Sequence, residues 1–383
     1  MTVTSPQGFR AAGVAAGIKA SGAADVAVVI NDGPSAAAAG VFTANRVKAA
    51  PVLWSQQVLA GQAVRAVVLN SGGANACTGP AGFADTHRTA EHVADLLDIG
   101  AGEVAVCSTG LIGERLPIDL LLAGTTAAVT QASAQGGLAA ADAIRTTDTV
   151  PKTCVLLGTG YQIGGMAKGA AMLAPALATM LVVLTTDADL TPGDLDRALR
   201  TAVRSTFDRL DTDGCMSTND TVLLLASGAS GTVPDTGEFA TLLTDACADL
   251  AAQMQSDAEG ASKAITIDVT GAATEDDAVE VGRAIARCAL LKCAIAGEDP
   301  NWGRVLAAVG TTSAAFEPDQ LSVAINGVWV CKGGAPGDHR SAVDLRPRQV
   351  TITVELAAGE RGATIRTTDL TAEYVRLNSA YST

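Results

Sequence analysis

The sequence predicts a mixed α/β protein with two domains. Short apolar runs bounded by Gly, Asn and Pro, a pattern typical of strands, alternate with segments whose apolar residues recur at helical spacing. A chain of 383 residues is also too long for one ordinary hydrophobic core. A second series of strands and helices begins at about residue 263. We therefore expect a main domain over residues 1–262 and a smaller α/β domain over residues 263–383.

The N-terminal part of the chain predicts a covered sheet. Apolar runs at 26–30, 40–42 and 64–69 are expected to be strands. An apolar stripe predicts a helix over about 83–97. The stretch 134–142, rich in Ala and Gly, is expected to be a surface connection.

A further strand, predicted at 103–107, ends in the dipeptide Thr109-Gly110. A strand tip of this kind exposes backbone N–H groups, as an oxyanion site requires. Many strands end in such loops, so the pattern alone does not identify a site.

Helix signals are stronger after residue 190. Thr191, followed by Pro and by Asp194 in the third position, predicts a helix start. A long helix is expected over about 238–254, where seven apolar residues share one face.

The C-terminal part is expected to form its own α/β unit. It opens with an alternating strand at 265–269, and a helix follows from Thr274 to about residue 291. The dipeptide Asn326-Gly327 predicts a hairpin turn, and strands are expected at 350–356 and 363–366.

Composition indicates a soluble globular protein and excludes some partners. Hydrophobic residues make up 48% of the chain and aromatic residues only 3%, so the core must rely on aliphatic side chains. The net charge of −14 argues against nucleic acid and against an anionic membrane surface as partners. No apolar run approaches the roughly 20 residues that span a bilayer, and the N-terminus lacks a signal-peptide pattern. We expect a cytoplasmic protein.

Neither a metal nor an organic cofactor is expected. An acidic stretch at 208–220 superficially resembles a calcium loop, but no Glu follows at its twelfth position. The eight cysteines form no CxxC pair and have no His at metal spacing, so they are interpreted as buried, reduced thiols. They are Cys77, Cys107, Cys154, Cys215, Cys247, Cys288, Cys293 and Cys331.

The chain is organised around the stretch that runs from Lys168 to Asp187. Its Met-Leu-Val-Val-Leu run predicts a fully buried strand, and Thr179 lies at the entrance of that strand. A Thr hydroxyl is a nucleophile only if a base removes its proton. None of the three histidines, His87, His92 and His339, looks paired with a Ser or Cys.

Cleavage of the chain before Thr179 would supply the missing base. If the Ala178–Thr179 peptide bond were cut, Thr179 would carry a free α-amine with a pKa of about 7.7 to 8.0. Such an amine can accept the proton of its own hydroxyl, which removes the need for His.

Several separated motifs resemble one family. The pattern Lys-Gly-x-x-Met-x-x-Pro-x-x-Ala-Thr-Met-Leu, followed by Thr-Thr-Asp-Ala, resembles the self-cleaving glutamate N-acetyltransferase/ornithine acetyltransferase family of arginine biosynthesis. The Thr-Gly loop, Asp-Ala-Glu-Gly at 257–260, Asp-Pro-Asn-Trp-Gly-Arg at 299–304 and Asn-Ser-Ala-Tyr at 378–381 occur in the order of that family. The resemblance covers nearly the whole chain. It implies a layered α/β sandwich of the ornithine acetyltransferase type, which is N-terminal-nucleophile-like.

The resemblance also implies a site. It places the cleavage between Ala178 and Thr179, which separates an alpha chain, 1–178, from a beta chain, 179–383, and makes Thr179 the nucleophile. It assigns the oxyanion hole to Thr109 and Gly110. The implied substrate-binding residues are Thr146, Lys168, Thr179, Glu259, Asn378 and Thr383.

The local sequence favours simpler interpretations of three of these residues. Thr146 would be a helix cap or turn, Glu259 a solvated acid, and Asn378 part of a frayed end. For Glu259 the sequence leaves two roles open, which are to hold the cationic end of an amino acid or to orient the Thr179 amine.

The implied activity is a ping-pong transfer of acetyl from N2-acetylornithine to glutamate. Whether acetyl-CoA also serves as donor stays open, since the family includes both kinds of enzyme. The resemblance suggests a heterotetramer of two cleaved pairs. Two alternatives remain: an N-terminal-nucleophile amidase or aminopeptidase that passes the acyl group to water, and a non-catalytic protein in which 168–187 is only a loop and a buried strand.

Overall fold

The computed structural model describes residues 2–172 and 180–380. Over these residues the chain forms three β-sheets and ten α-helices, so the predicted α/β class is confirmed. The chain separates into two compact units. Within the described residues, the first unit comprises 2–208 and 215–257, and the second comprises 209–214 and 258–380.

The first unit contains two sheets. Its strands, numbered along the chain, are β1 Phe9–Val14, β2 Val26–Asn31, β3 Ala38–Phe42, β4 Ala66–Asn70, β5 Val104–Ser108, β6 Lys152–Gly158, β7 Tyr161–Lys168, β8 Leu181–Thr186 and β9 Thr221–Ala226. One sheet has the order β1, β2, β4, β5, and the other has the order β3, β9, β8, β7, β6. Strands β2, β8 and β9 are buried over their whole length, as their uninterrupted aliphatic sequences predict.

Helices cover the outer faces of these sheets. They are α1 Ala50–Ala60, α2 Gly79–Leu97, α3 Ile118–Gln131, α4 Gly137–Ala143, α5 Pro192–Ser205 and α6 Thr236–Ser256. Helices α1 to α4 pack on the four-stranded sheet, and α5 and α6 pack on the five-stranded sheet. One hydrophobic cluster contains residues of both sheets, including Val28 of β2 and Val183 of β8. The first unit is therefore a layered α/β structure.

The second unit has one six-stranded sheet. Its strands are β10 Ala264–Ala272, β11 Ser322–Ile325, β12 Val328–Lys332, β13 Ala335–Pro336, β14 Gln349–Glu355 and β15 Arg361–Thr368, in the order β13, β12, β11, β14, β10, β15. Its helices are α7 Glu275–Ala286, α8 Ala289–Ala296, α9 Trp302–Val309 and α10 Ala372–Ala380. The predicted hairpin is confirmed, because β11 and β12 are joined at Asn326 and Gly327, whose φ angles are 47° and 81°.

Two helix starts match the sequence signals. The Thr191 hydroxyl accepts a hydrogen bond from the N–H of Asp194 at 3.2 Å and caps α5. Thr274 and Asp277 form the capping box of α7. Both predictions of helix starts are confirmed.

Two predictions about elements are wrong. The stretch 134–142, expected to be a surface connection, contains most of α4, whose Ala140 and Ala141 are fully buried. The single helix expected over 274–291 is two helices, since Cys288 is extended between α7 and α8.

Among the described residues, none of the helices combines the length and the hydropathy that crossing a bilayer would need.

Candidate active site

The predicted site residues fall in three places. Thr109, Gly110, Thr146 and Lys168 belong to the first unit. Glu259 and Asn378 belong to the second unit. Ala178, Thr179 and Thr383 lie outside the described residues.

In the first unit, several strand ends meet at one edge. Strand β7 ends at Lys168, which pairs with Leu181 at the start of β8, and Leu181 pairs with Thr221 at the start of β9. The side-chain amide of Asn219 donates to the carbonyl of Ser108, at the end of β5, at 2.8 Å. The tip of β5 is therefore held beside the edge from which β8 and β9 start.

Lys168 is the buried cation of this edge. Its side chain is 1% exposed, and its Nζ donates to the Thr109 hydroxyl at 3.3 Å. The structure thus brings together two residues, 59 positions apart, that the sequence analysis selected. Because the hydroxyl accepts from Lys168, its own proton is free to point at another acceptor.

The donors at the tip of β5 differ in one respect from the prediction. The backbone N–H of Thr109 donates to the Asn70 carbonyl at 3.0 Å, so this N–H is not available to an oxyanion as the strand-tip argument expected. The Thr109 hydroxyl is the donor that remains on that residue.

Gly110 carries the other N–H that the sequence analysis predicts as an oxyanion donor. No residue in the described ranges accepts a hydrogen bond from its N–H. Its φ is +133°, and a Cβ there would lie 2.9 Å from the backbone of Gly73. Only glycine fits this close approach, which holds the N–H in place.

A buried ionic cluster that the sequence analysis passed over lies next to these residues. Lys152 is fully buried, and its Nζ contacts the carboxylates of Asp148 and Asp257, each at 2.6 Å. Asp148 also accepts the N–H of Gly169 at 2.7 Å and the N–H of Thr146 at 3.1 Å. It therefore ties predicted substrate residue Thr146 to the residue that follows Lys168.

Asp148 is ionised in this cluster. Burial by itself would raise its pKa, but the charges of Lys168 and Lys152 and the hydrogen bonds from Lys152 and Gly169 lower it to about 2. The sequence carried one indication of this cluster, the polar Thr-Thr-Asp segment at 146–148. It did not indicate that Asp257, more than 100 positions later, belongs to the same cluster.

Asp220 is the second buried carboxyl at this edge that the sequence analysis did not select. It is fully buried, and its Oδ1 accepts the N–H of Met180 at 2.9 Å. Burial raises its pKa well above the usual value, although Lys168 acts in the opposite direction.

In the second unit, Glu259 and Asn378 are in contact. The Asn378 amide donates to Glu259 Oε2 at 3.0 Å and to the carbonyl of Tyr374 at 3.0 Å. Gly260, at φ +63°, lies against α10, where a Cβ would approach Tyr374 N to 2.4 Å. Glu259 is 8% exposed, so it is not the solvated acid that its local sequence suggests.

The second unit also has a cavity of about 240 Å³. Arg287, Lys292 and Asp369 are among the residues that line it, and none of the predicted site residues does. Two of its polar side chains are already engaged: Asp369 accepts from Ser262 and Lys263, and Lys292 donates to the Thr212 carbonyl. We do not assign the cavity to the site.

One prediction about histidines is wrong. His339 Nδ1 lies 2.7 Å from the Ser341 hydroxyl. Both residues are exposed, and His339 caps the short turn that contains Ser341. Among the described residues no carboxylate is bonded to the other nitrogen of His339, so the pair is a turn cap and not a nucleophile with its base.

The cysteines are free thiols, but they are not all buried. Cys77, Cys215 and Cys293 are exposed, which corrects the expectation for them. Burial raises the pKa of Cys107 and of Cys154 to about 12, so these two are unreactive thiols. Within the described part of the chain, no group of three or more His, Cys, Asp or Glu could hold a metal ion.

The fold and the first unit's strand edge define a class of protein. The tip of β5 carries a threonine hydroxyl beside a buried lysine, and a glycine N–H that no described residue accepts, and such donors could hold a negatively charged oxygen. That is the requirement of an acyl-transfer enzyme.

Comparison with known proteins identifies the family. A sequence model of the ArgJ family matches residues 10–383, and the chain belongs to that family. It is 69% identical to the arginine biosynthesis bifunctional protein ArgJ of Thermobifida fusca (strain YX), with 100% of both chains covered. The protein of the same name from Streptomyces avermitilis is 68% identical, again with 100% of both chains covered. The resemblance found in the sequence is thereby confirmed.

Two solved structures are also similar. Ornithine acetyltransferase from Mycobacterium tuberculosis, in complex with ornithine, is 63% identical over 47% of this chain and 96% of that chain, with a TM-score of 0.45. The argJ bifunctional protein from Bacillus halodurans is 36% identical over 51% of this chain and 97% of that chain, with a TM-score of 0.49.

Proposed function

We propose that this chain is an acetyltransferase of arginine biosynthesis that moves the acetyl group from N2-acetylornithine to glutamate. The observation that carries the proposal is the 69% identity, over the whole chain, to an arginine biosynthesis bifunctional protein. The pair of donors beside the buried Lys168 supports acyl transfer as the chemistry.

The first step is cleavage of the chain. The Thr179 hydroxyl attacks the Ala178 carbonyl carbon, and the C–N bond to Thr179 breaks as an ester forms. Water then hydrolyses the ester. The products are a chain of 178 residues and a chain of 205 residues (383 − 178). The freed α-amine of Thr179 becomes the base for its own hydroxyl.

Transfer then proceeds in two halves. Thr179 attacks the acetyl carbonyl of N2-acetylornithine, the amine takes the hydroxyl proton, and ornithine leaves with a proton on its nitrogen. The amine of glutamate attacks the acetyl-enzyme, and the Thr179 hydroxyl is restored. In both halves the Thr109 hydroxyl and the Gly110 N–H donate to the tetrahedral oxygen, a contribution of about 3 kcal/mol per donor.

The remaining residues bind substrate. Lys168, whose Nζ donates to the Thr109 hydroxyl, is the proposed cationic partner of a substrate carboxylate. Thr146, Asn378 and Thr383 supply hydrogen bonds. Glu259, held by Asn378, either binds the cationic end of the amino acid or orients the Thr179 amine.

Assembly and location complete the proposal. We propose a heterotetramer of two cleaved pairs in the cytoplasm, without a metal or organic cofactor. The support is family membership alone. Native mass spectrometry would measure the assembly directly, and the substrate range would be measured with acetyl-CoA as the alternative donor.

Intact mass under denaturing conditions tests the cleavage. Wild type should show two chains, and N-terminal sequencing of the larger one should begin at Thr179. Thr179→Ala should remain one chain and transfer nothing. Thr201→Ala, which removes an exposed hydroxyl from α5, should cleave as wild type does. Full turnover by an unbroken wild-type chain would refute the mechanism.

An assay of acetylornithine with and without glutamate tests the acceptor. Ornithine release beyond the first equivalent per site should depend on glutamate, because water is a poor acceptor in a site built for a second amino acid. Acetate release at the same rate without glutamate would instead identify an amidase.

A further inference from the structure

Lys19 is a cation of the first unit that the proposed function does not use. It lies in the loop between β1 and β2 and is half-buried. Its Nζ donates to the carbonyl of Ala24 at 3.0 Å and to the carbonyl of Arg145 at 2.7 Å. A lysine ammonium has three donors, and residues 2–172 and 180–380 supply acceptors for two of them. The ammonium can therefore donate once more, to a ligand.

The loop that carries Lys19 is held in one position. Asp25 is fully buried. Its carboxyl group accepts the N–H groups of Ala16, Ile18 and Lys19 at 2.6, 2.7 and 2.9 Å. A binding group that is fixed before its ligand arrives loses less conformational entropy when the ligand binds.

The same loop packs beside the residues that carry the predicted oxyanion donors. A Cβ on Gly72 would lie 2.1 Å from Cγ2 of Ile18, so this glycine lets the loop approach closely. The next residue, Gly73, pairs with Thr109 in an isolated β-bridge, and its backbone lies against Gly110. Lys19 is therefore part of the same edge of the first unit as the predicted site.

Lys19 also holds the peptide group that precedes Thr146. The carbonyl of this peptide, which belongs to Arg145, accepts from Lys19 Nζ, and its N–H, which belongs to Thr146, donates to Asp148 at 3.1 Å. Asp148 in turn accepts the N–H of Gly169, the residue after Lys168. One peptide group thus links Lys19 to the end of β7.

The charges around Lys19 favour an anionic ligand. Burial lowers the pKa of Lys19, and the positive charges of Arg145 and Lys168 act in the same direction, whereas Asp25 and Asp142 oppose them. Asp142 forms an ion pair with Arg145 at 2.7 Å, and the Asp25 carboxyl group is occupied by backbone N–H groups. Within the described ranges no carboxylate forms an ion pair with Lys19. An additional carboxylate would reduce the repulsion between Lys19 and Lys168.

The two amino acids of the proposed reaction differ in charge. Glutamate carries two carboxylates and one ammonium, whereas N2-acetylornithine carries one carboxylate and one ammonium. Lys168 is the proposed partner of one carboxylate. Because a carboxylate leaves water at a high cost unless it is paired, a site that accepts glutamate needs a second cation.

We propose that Lys19 is a specificity-determining residue of this site: its ammonium binds the second carboxylate of the acceptor and so selects dicarboxylic amino acids. This role rests on the proposed function and names the class of acceptor. Through the Arg145 carbonyl, Lys19 is also a positioning residue for Thr146.

Glutamate and glutamine as alternative acceptors test this role. Glutamine has the same length as glutamate, but an uncharged amide replaces its second carboxylate. Wild type should transfer acetyl to glutamate with a kcat/KM at least about tenfold higher than to glutamine, since a hydrogen bond to a charged group is lost with the amide.

Two substitutions separate the charge of Lys19 from its hydrogen bonds. Lys19→Gln keeps N–H donors for the main-chain carbonyls but has no charge. It should lower kcat/KM for glutamate about tenfold to a hundredfold, mainly through KM, and change that for glutamine little. The first equivalent of ornithine should still be released from N2-acetylornithine at the wild-type rate. Lys19→Arg keeps the charge and should keep the preference for glutamate.

Arg65→Gln is the matched control. Arg65 is another half-buried cation of the first unit, and its Nη1 donates to the main-chain carbonyl of Gly33 at 2.6 Å. It precedes the start of β4, whereas Asn70, which accepts the Thr109 N–H, ends that strand. This variant should prefer glutamate to glutamine as wild type does.

The outcomes distinguish this role of Lys19 from the proposed function. If wild type acetylates glutamate and glutamine equally well, or if Lys19→Gln prefers glutamate as strongly as wild type does, the role is overturned while acetyl transfer stands. An equal loss of preference in Arg65→Gln would also overturn it, because the effect would then be general destabilisation. If wild type acetylates neither acceptor, the proposed function fails, and the role of Lys19 fails with it.

Discussion

At the scale of single residues, the buried Asp148–Lys152–Asp257 cluster predicts an effect on stability. Its members are at most 9% exposed at the side chain, and each carboxylate lies 2.6 Å from Lys152 Nζ. Removing Asp148 leaves Lys152 with Asp257 alone and takes a negative charge away from Lys168, so two buried cations lose part of their compensation. We therefore expect Asp148→Asn to lower the free energy of unfolding by about 3 kcal/mol, as measured by urea denaturation at pH 7.

The same residue predicts a dependence of wild-type stability on pH. The pKa of Asp148 in the folded protein is about 2, below the value of 3.8 for an unperturbed Asp. The contribution of ionised Asp148 to the free energy of unfolding is therefore complete above about pH 4 and is lost as the pH falls from about 4 to about 2. Urea denaturation at several pH values should show this loss in wild type, and Asp148→Asn should show less of it. If the free energy of unfolding fell equally with pH in the two proteins, the low pKa of Asp148 would be contradicted.

Gly110 predicts an effect on rate. An Ala at this position must adopt φ near +133° and place its Cβ 2.9 Å from Gly73, so the N–H would move. We expect kcat to fall about a hundredfold with KM little changed, because the donor acts on the transition state. Gly113→Ala is the control, since Gly113 also has a positive φ but no atom within 4 Å of the Cβ position. An equal fall of kcat in Gly110→Ala and Gly113→Ala would mean that backbone strain, and not the loss of a donor, is the cause.

At the scale of elements, the structure shows which signals the sequence carries. The start of α5 was predictable because Thr191, Pro192 and Asp194 are adjacent in the chain and satisfy the helix end among themselves. The break between α7 and α8 was not predictable. The apolar stripe continues through it from Ile285 to Leu291, and periodicity alone does not reveal a kink.

Helix α4 was missed for a different reason. Its sequence is Gly- and Ala-rich, which is typical of a connection. Its burial comes from contact with β1, which lies more than 120 positions earlier in the chain (137 − 14 = 123). A Cβ on Gly13 of β1 would lie 2.0 Å from the carbonyl oxygen of Ala139. The sequence does not show that α4 and β1 need this close approach.

That approach predicts the effect of a substitution. Gly13→Ala should displace α4 and lower the free energy of unfolding by about 2–3 kcal/mol, because the obstacle is backbone and cannot rotate away. Gly102→Ala, where nothing lies within 4 Å of the Cβ position, is the control and should change stability little. Thermal unfolding of the two variants measures the difference. A Gly13→Ala protein as stable as wild type would contradict the packing described for α4.

At the scale of the whole molecule, the sequence predicted the class, the family and the pair Thr109 and Lys168, but not the partners that hold them. Motif residues can be recognised one segment at a time. Asp148 meets Asp257 through Lys152, and Asn219 meets Ser108, only after the sheets have formed. The net charge of −14 likewise gave no sign of the buried cations Lys152 and Lys168 at this edge of the first unit.

The order of strands in the five-stranded sheet predicts what happens to the two chains after the proposed cleavage. Strands β8 and β9, which belong to the piece after residue 178, lie between β7 and β3, which belong to the piece before it. Separating the pieces would expose two fully buried strands and break both ladders. We therefore expect the cut protein to elute as one species in size-exclusion chromatography, even at nanomolar concentration, and to separate only in denaturant. Two native peaks, each containing one piece, would contradict this sheet order. The order requires β8 and β9 of the second piece to stay hydrogen-bonded between β7 and β3 of the first piece.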